Sequence, residues 1–468
     1  MRRTARALQA GLLALALAAL AVPAAINAAP AFIAPPSPPA PVIPAAQLPP
    51  ASLAPMGVAA SPKADAAQPD PARLAALLNP ILTSDAGSLT GQVLDAATGA
   101  VLYDRRATAA AVPASNLKLF TAVSALKNLD ADTRLQTSVL RGSEPGTLVL
   151  RAGGDVLLGA GDSAPGAVNG HAGLTSLAQQ TVAALGGSAG GGVRLLLDDS
   201  VFTGAALNPE WDTGDVTAGE IAPVFPLATN SAMPDLKGGS RPQDSALAAA
   251  QLFASILGKL GVPVQGAVGR VAAGDPAATE QLAAVASATV AEQVAYMLQN
   301  SDNFLAEVLA RLAATGQQRP GSSAAATAVT LATVKSLGVD VTGLTLADSS
   351  GLAMANQVSA AQFAQLVKLI VTGDDANIRR AIDGFPVAGL SGTLESRYDT
   401  AETAAGSGLV RAKTGTLNVV KTLSGFVLDA DGRLLVFSFM GNNFSGGSAV
   451  AQPLLDQAAA TLAGCGCR

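Results

Sequence analysis

The stretch Pro113-Ala114-Ser115-Asn116-Leu117-Lys118 sets a hydroxyl and an amine three positions apart where a helical pattern begins, continuing through Leu119, Val123 and Leu126. Residues three apart share a helical face, so the amine reaches the hydroxyl. Ser115 in the first turn also sits at the positive end of the helix dipole. A serine with a built-in lysine base is a nucleophile that needs no imidazole. Taken alone the pair is a weak signal, since about one Ser-x-x-Lys arises by chance at this composition. By itself Ser115 reads more simply as a helix N-cap. A second pair, Ser124 and Lys127, follows nine residues on. At about 100° per residue it lies on the opposite face of the same helix. The Pro-Ala turn before Ser115 favours the first pair.

Composition says why an imidazole-free nucleophile is the one to look for. The chain has 468 residues and a single histidine, His171, in a Gly/Ala-rich stretch that reads as a solvated loop. A metal centre built from two or three histidines is excluded. The residues are 49% hydrophobic, 13% charged and 3% aromatic, enough apolar material for a sizeable core. The net charge of -5, from 29 basic and 34 acidic residues, gives no reason to expect a nucleic-acid partner. Cys465 and Cys467 form a C-x-C at the C-terminus, which suits a strained disulfide or a frayed tail better than a metal cage.

The chain begins like an export signal. Arg2, Arg3 and Arg6 precede an apolar run, Gly11 to Val22, and small residues through Ala29. Residues 1–29 are read as a signal peptide or an uncleaved N-terminal anchor. Residues 30–70 are a Pro/Ala-rich linker. The helical pattern Pro71 to Leu82 opens the globular part, followed by a hairpin over Gly91–Asp95 and Ala100–Tyr103. A second hairpin, Leu423–Leu428 and Leu434–Met440, turns at Asp431-Gly432. Helical windows lie between, at Ala291–Ala314, Ser322–Leu337 and Ala360–Val371, and residues 450–463 close the chain. Strands at both ends with helices between predict an α+β domain whose sheet is built from the two termini. That domain is expected over 71–136 plus 276–468, with one or two smaller inserted domains over the Gly-rich 137–275.

Two further motifs join the first. Ser301-Asp302-Asn303 is the chain's one Ser-x-Asn. Residues two apart do not share a helical face, so both side chains enter one site only if the tripeptide turns between two helices. Arg411-Ala412-Lys413-Thr414-Gly415-Thr416 precedes the second hairpin. On a strand Thr414 and Thr416 face the same way, two hydroxyls for one carboxylate, while Lys413 supplies a cation. Gly415 lets a substrate backbone approach closely. Separately the first reads as a polar helix surface and the second as a surface strand turn.

In this order along one exported chain, Ser-x-x-Lys, Ser-x-Asn and Lys-Thr-Gly resemble the serine penicillin-recognising superfamily. The separation of 183 positions from Lys118 to Ser301 leaves room for inserted domains. With Asp348-Ser349-Ser350-Gly351-Leu352, Pro386–Leu394 and Gly153-Gly154-Asp155, this spacing resembles the D-alanyl-D-alanine carboxypeptidase/endopeptidase family, the low-molecular-mass class C penicillin-binding proteins. The likeness spans about residues 72 to 460. It implies a β-lactamase/transpeptidase-like domain, an antiparallel sheet with helices on both sides. It implies Ser115, Lys118 and Ser301 as catalytic residues, and Asn303, Lys413, Thr414 and Thr416 as substrate-binding residues. The oxyanion hole would be the backbone N–H groups of Ser115 and Thr416. Peptidoglycan peptides are the implied substrate and β-lactam antibiotics the implied covalent inhibitors, outside the cytoplasm, with no metal or organic cofactor. The alternatives are a β-lactamase, or a non-catalytic cell-wall-binding protein with a relic site.

Overall fold

Two distant pieces of chain make the sheet that carries the site. Strands β1 (Ser88–Asp95) and β2 (Val101–Arg105) come from the beginning of the globular part. Short β3 (Ala110–Ala111) pairs with β9 (Val358–Ser359). Strands β4 (Arg134–Arg141), β5 (Thr147–Arg151), β6 (Arg194–Asp198), β7 (Gly269–Arg270) and β8 (Gln281–Thr289) form a second sheet. Strands β10 (Arg411–Leu417), β11 (Val420–Leu428) and β12 (Leu434–Asn442) come from the end. The main sheet runs β10-β11-β12-β1-β2, with every neighbour antiparallel. The computed structural model describes Gly11, Leu15 and residues 62–63, 65–186, 191–233, 240–272 and 280–467.

The longer helices are, in chain order, α1 (Pro71–Ile81), α2 (Lys118–Leu129), α3 (Leu174–Leu185), α4 (Ser245–Lys259), α5 (Val290–Asn300), α6 (Asn303–Gly316), α7 (Ser323–Ser336), α8 (Ala360–Thr372) and α9 (Ser448–Gly464); α1 and α9 cover one face of the main sheet, and α8 with α2 the other. Strand β12 shows the sorting rule, because side chains alternate along a strand. Leu435, Phe437 and Phe439 pack with Leu74 and Leu78 of α1 and Leu455 of α9. Val436 and Met440 turn the other way, toward Phe363 and Val367 of α8 and Phe120 of α2. A buried ion pair, Arg433 Nε to Asp95 Oδ2 at 2.6 Å, ties the two hairpins.

The chain divides into two units, Met1–Ala59 and Ala60–Arg468, and every numbered element lies in the second. The leader expected at 1–29 falls outside the described residues, apart from Gly11 and Leu15. Of the linker expected at 30–70, the described end is tied to the body: Lys63 N–H donates to Gly432 O, and Asp70 N–H to Cys467 O. Cys465 and Cys467 are joined as a disulfide.

The second sheet runs β7-β6-β5-β4-β8. Helices α3 and α4 pack on it through Leu174, Leu177, Phe253 and Leu257. Its pairing is mixed, with β5-β6 and β6-β7 parallel. The chain enters this sheet before residue 137 and leaves it after 275, because β8 pairs with β4. Strand β8 is alanine-rich, which hides it from a reading that looks for β-branched residues.

Candidate active site

The three distant stretches converge on one cleft of about 1430 Å³, lined among others by Ser115, Ser301, Asn303, Thr414 and Thr416. Lys118 and Lys413 lie just behind its wall, both fully buried.

Ser115 sits in a 3-10 turn, Ala114–Leu117, that runs into α2 at Lys118. The α-helix therefore begins three residues later than the periodicity implies. In a 3-10 turn residues i and i+3 eclipse, which aligns serine and lysine more closely than an α-helix would. Lys118 Nζ lies 2.9 Å from Ser115 Oγ. It donates to Asn303 Oδ1 at 2.6 Å and to the Ser350 carbonyl at 2.7 Å. Ser115 N–H meets no acceptor among the described residues. Ser124 lies deep in α2, fully buried and away from the cleft.

The turn is held under strain by its surroundings. Ala114 has φ +46°, a left-handed conformation that costs a non-glycine residue about 1–2 kcal/mol. Two glycines clamp it. A Cβ on Gly351 would fall 1.9 Å from Ala114 O. A Cβ on Gly415 would fall 2.1 Å from Thr422 Oγ1 and 3.0 Å from both Pro113 O and Ala114 Cβ. Gly415 thus admits the protein's own turn; the sequence reading assigned that room to a substrate backbone. Thr422 Oγ1 donates to Pro113 O at 2.8 Å, and Asn116 Nδ2 to Ser424 Oγ at 2.7 Å. Both anchors point from β11 at the turn.

Ser301-Asp302-Asn303 breaks what hydropathy reads as one helical window, Ala291–Ala314, into α5 and α6. Ser301 caps α5 in the left-handed region (φ +54°), and Asp302 Oδ1 accepts from Leu305 N–H as N-cap of α6. This two-residue break sends Ser301 and Asn303 into the same cleft. Asn303 Nδ2 donates to the Glu220 carbonyl, which fixes Oδ1 toward Lys118.

Strand β10 is the edge of the main sheet, and Thr414 and Thr416 on it line the cleft. Lys413, opposite Ser424, points to the α2 and α8 side and donates to Ser301 Oγ at 2.9 Å and Thr414 O at 2.7 Å. Thr414 and Thr416 point the other way, and the Thr414 hydroxyl shares a 2.7 Å hydrogen bond with Thr393.

A buried acidic scaffold supports the lysine. Glu307 Oε1 accepts from Ser349 and Ser350 N–H, aiming the Ser350 carbonyl at Lys118. Asp348 accepts from Trp211 Nε1, Gly351 N–H, Ala353 N–H and Asn356 Nδ2. Burial, with the Asp348 charge, pushes the Glu307 carboxyl up to about 7.

Burial pushes the Lys118 ammonium down to about 8, against the pull of Asp348, Asp302, Glu307 and Glu220. Burial also drives Lys413 well below the usual lysine range, with the Lys118 charge second. The sequence reading gave the Lys413 charge a share in lowering Lys118. That repulsion is mutual, and desolvation leads for both. His171 plays no part here: it lies in a loop against Arg134 and the Ala167 carbonyl.

A serine hydroxyl facing a buried, depressed lysine, in a cleft with further hydroxyls and a second lysine, is equipped for acyl transfer. The model of the D-Ala-D-Ala carboxypeptidase 3 (S13) family matches residues 74–242 and 232–463, and the chain belongs to that family. It is a serine-type D-Ala-D-Ala carboxypeptidase, a hydrolase of the penicillin-binding kind. It is 35% identical over 401 residues to Carboxypeptidase DacB of Mycolicibacterium smegmatis, covering 84% of this chain and 83% of that one. It is 31% identical over 449 residues to the D-alanyl-D-alanine carboxypeptidase of an Actinomadura species, covering 78% and 80%. The fold matches penicillin binding protein 4 of Haemophilus influenzae with TM-score 0.66 at 21% identity, over 84% of this chain and 98% of that structure.

Proposed function

We propose that the chain is exported through its N-terminal segment and trims peptidoglycan stem peptides outside the cytoplasm through an acyl-enzyme on Ser115. Among the described residues no helix is long and apolar enough to cross a membrane. Arg2, Arg3 and Arg6 ahead of the apolar run Gly11 to Val22 support residues 1–29 as the export signal or anchor.

One observation carries the mechanism. A neutral amine has two N–H bonds and one lone pair. Asn303 Oδ1 and the Ser350 carbonyl are acceptors only, and they take the two N–H bonds of Lys118. The lone pair is left facing the Ser115 hydroxyl, 2.9 Å away. Ser115 Oγ attacks the carbonyl carbon of the penultimate D-Ala while Lys118 takes its proton. The oxyanion develops against the N–H groups of Ser115 and Thr416, whose donors matter most when that charge appears. The C–N bond breaks, and the departing D-Ala nitrogen receives the proton by way of Ser301, which Lys413 holds in place. Thr414 and Thr416 bind the departing carboxylate, and Asn303 holds the substrate amide. Water then adds to the ester, Lys118 again taking a proton, and Ser115 is released. A D-Ala bond within a cross-link presents the same atoms to the same groups. A β-lactam acylates Ser115 and leaves slowly.

Mass spectrometry after incubation with benzylpenicillin tests the assignment. We expect one adduct per chain, mapping to the peptide that contains Ser115. An adduct elsewhere, or none with any β-lactam, overturns it. Fast steady-state turnover of nitrocefin without a burst would instead favour a β-lactamase.

Gly415→Ala tests the clamp on the turn. The added methyl cannot sit 2.1 Å from Thr422 Oγ1, so the strand or the turn moves. A displacement near 1 Å at the reacting groups costs on the order of 10²-fold in rate. Penicillin acylation should slow by about that factor. An unchanged acylation rate would show that the turn does not depend on this contact.

A further inference from the structure

The Thr416 end of the cleft carries charge that the mechanism leaves unused. Lys421 is the cross-strand partner of Thr416, on the same face of the sheet. It lines the cleft, yet only 8% of its surface is exposed. Its ammonium has no hydrogen-bond partner among the described residues. Beside it Arg397 also lines the cleft and is held by Asp456 through both carboxylate oxygens. Two cations against one carboxylate leave one positive charge unmatched. The first turn of α9 opens on the same place: Gly447, Ser448 and Ala449 line the cleft. Ala449 N–H meets no acceptor among the described residues, and no side chain caps the helix. Asp212, Asp215 and Glu220 line the cleft too, with Glu220 on the Asn303 side, so the cations gather where Thr416 stands.

We propose that Lys421, backed by Arg397 and the N-terminus of α9, forms an anion subsite for the carboxylate of the departing residue, and makes the enzyme select substrates with that carboxylate free. The proposal rests on the carboxypeptidase reading, which places that carboxylate at Thr414 and Thr416. A burial this deep is costly for an unpaired ammonium, and an arriving carboxylate offsets the cost. Burial, with the Arg397 charge, pushes Lys421 down to about 8, and a bound anion would favour its charged form.

The test compares two substrates on the full-length enzyme, an N-acylated peptide ending D-Ala-D-Ala and the same peptide as its C-terminal amide. Lys421→Met should reduce the ratio of kcat/KM for acid over amide by about 10- to 100-fold, the weight of one charge-assisted hydrogen bond. Lys421→Arg should restore most of the ratio. A general packing defect would lower both substrates together and leave the ratio unchanged. An unchanged ratio in Lys421→Met, with the parent enzyme active, overturns the subsite alone. A parent enzyme that hydrolyses neither peptide and forms no Ser115 adduct takes the subsite down with the carboxypeptidase reading.

Discussion

Ser115→Ala should yield a folded protein that forms no adduct with benzylpenicillin and whose peptide hydrolysis falls by on the order of 10⁶-fold, the loss seen when a nucleophile is removed from a concerted set. The fold should survive because the hydroxyl contacts little besides Lys118. With the oxygen gone, Lys118 keeps Asn303 and Ser350 as partners, so the stability cost is that of one partly exposed hydrogen bond, about 1 kcal/mol. Ser124→Ala is the matched control. Ser124 is fully buried in α2, its hydroxyl 3.4 Å from Asn128 Nδ2, and it does not border the cleft. Its variant should label like the parent. Fluorescent-penicillin labelling of both, with melting temperatures alongside, gives the answer. Labelling that survives in Ser115→Ala and vanishes in Ser124→Ala would overturn the choice of nucleophile.

The convergence of the three motifs on one cleft was legible in the sequence because each carries its own geometry. Serine and lysine three apart meet on any helical turn, and a Ser-x-Asn between two helical patterns has to break them. Strand alternation sends Thr414 and Thr416 one way and Lys413 the other, which only an edge strand can exploit on both sides. The hairpins read well for the same reason, since a two-residue period and an Asp-Gly turn are local. What stayed hidden is what depends on distant packing. Gly351 and Gly415 look like ordinary turn and strand glycines until the Ala114 turn is seen pressed between them. Glu307 reads as one more polar position in a helix, yet it is fully buried and orients the Ser350 carbonyl from across the fold. Asn116, Thr422 and Ser424 had a faint signal. Two hydroxyl residues at alternate positions of strand β11, Thr422 and Ser424, mark one face that must meet polar partners. The alanine-rich β8 had none, and so the second sheet reaches beyond the segment that composition marks out.

Lys118→Met should slow penicillin acylation by about 10²- to 10⁴-fold, the range for a positioned general base. The double variant with Ser115→Ala should be no worse than Ser115→Ala alone, because residues acting as a unit are not additive. Methionine also leaves Asn303 Oδ1 and the Ser350 carbonyl without their donor, so a melting-temperature drop equivalent to about 1–3 kcal/mol is expected from buried unpaired acceptors. The pH profile separates the two effects. The base is the neutral amine, so in the parent enzyme acylation should rise tenfold per pH unit toward about 8 and level off above it. An acylation rate flat from pH 6 to 9 would exclude Lys118 as the base. The depression matters quantitatively. A lysine at its ordinary value of 10.5 is neutral in about one molecule in 3000 at pH 7, whereas one near 8 is neutral in about one in ten. Burying the amine under α2, α6 and the Ser350 loop therefore raises the reactive fraction by about 300-fold. The four nearby carboxylates work against that gain, and they hold the lysine within reach of neutral pH instead of letting it lose its proton outright.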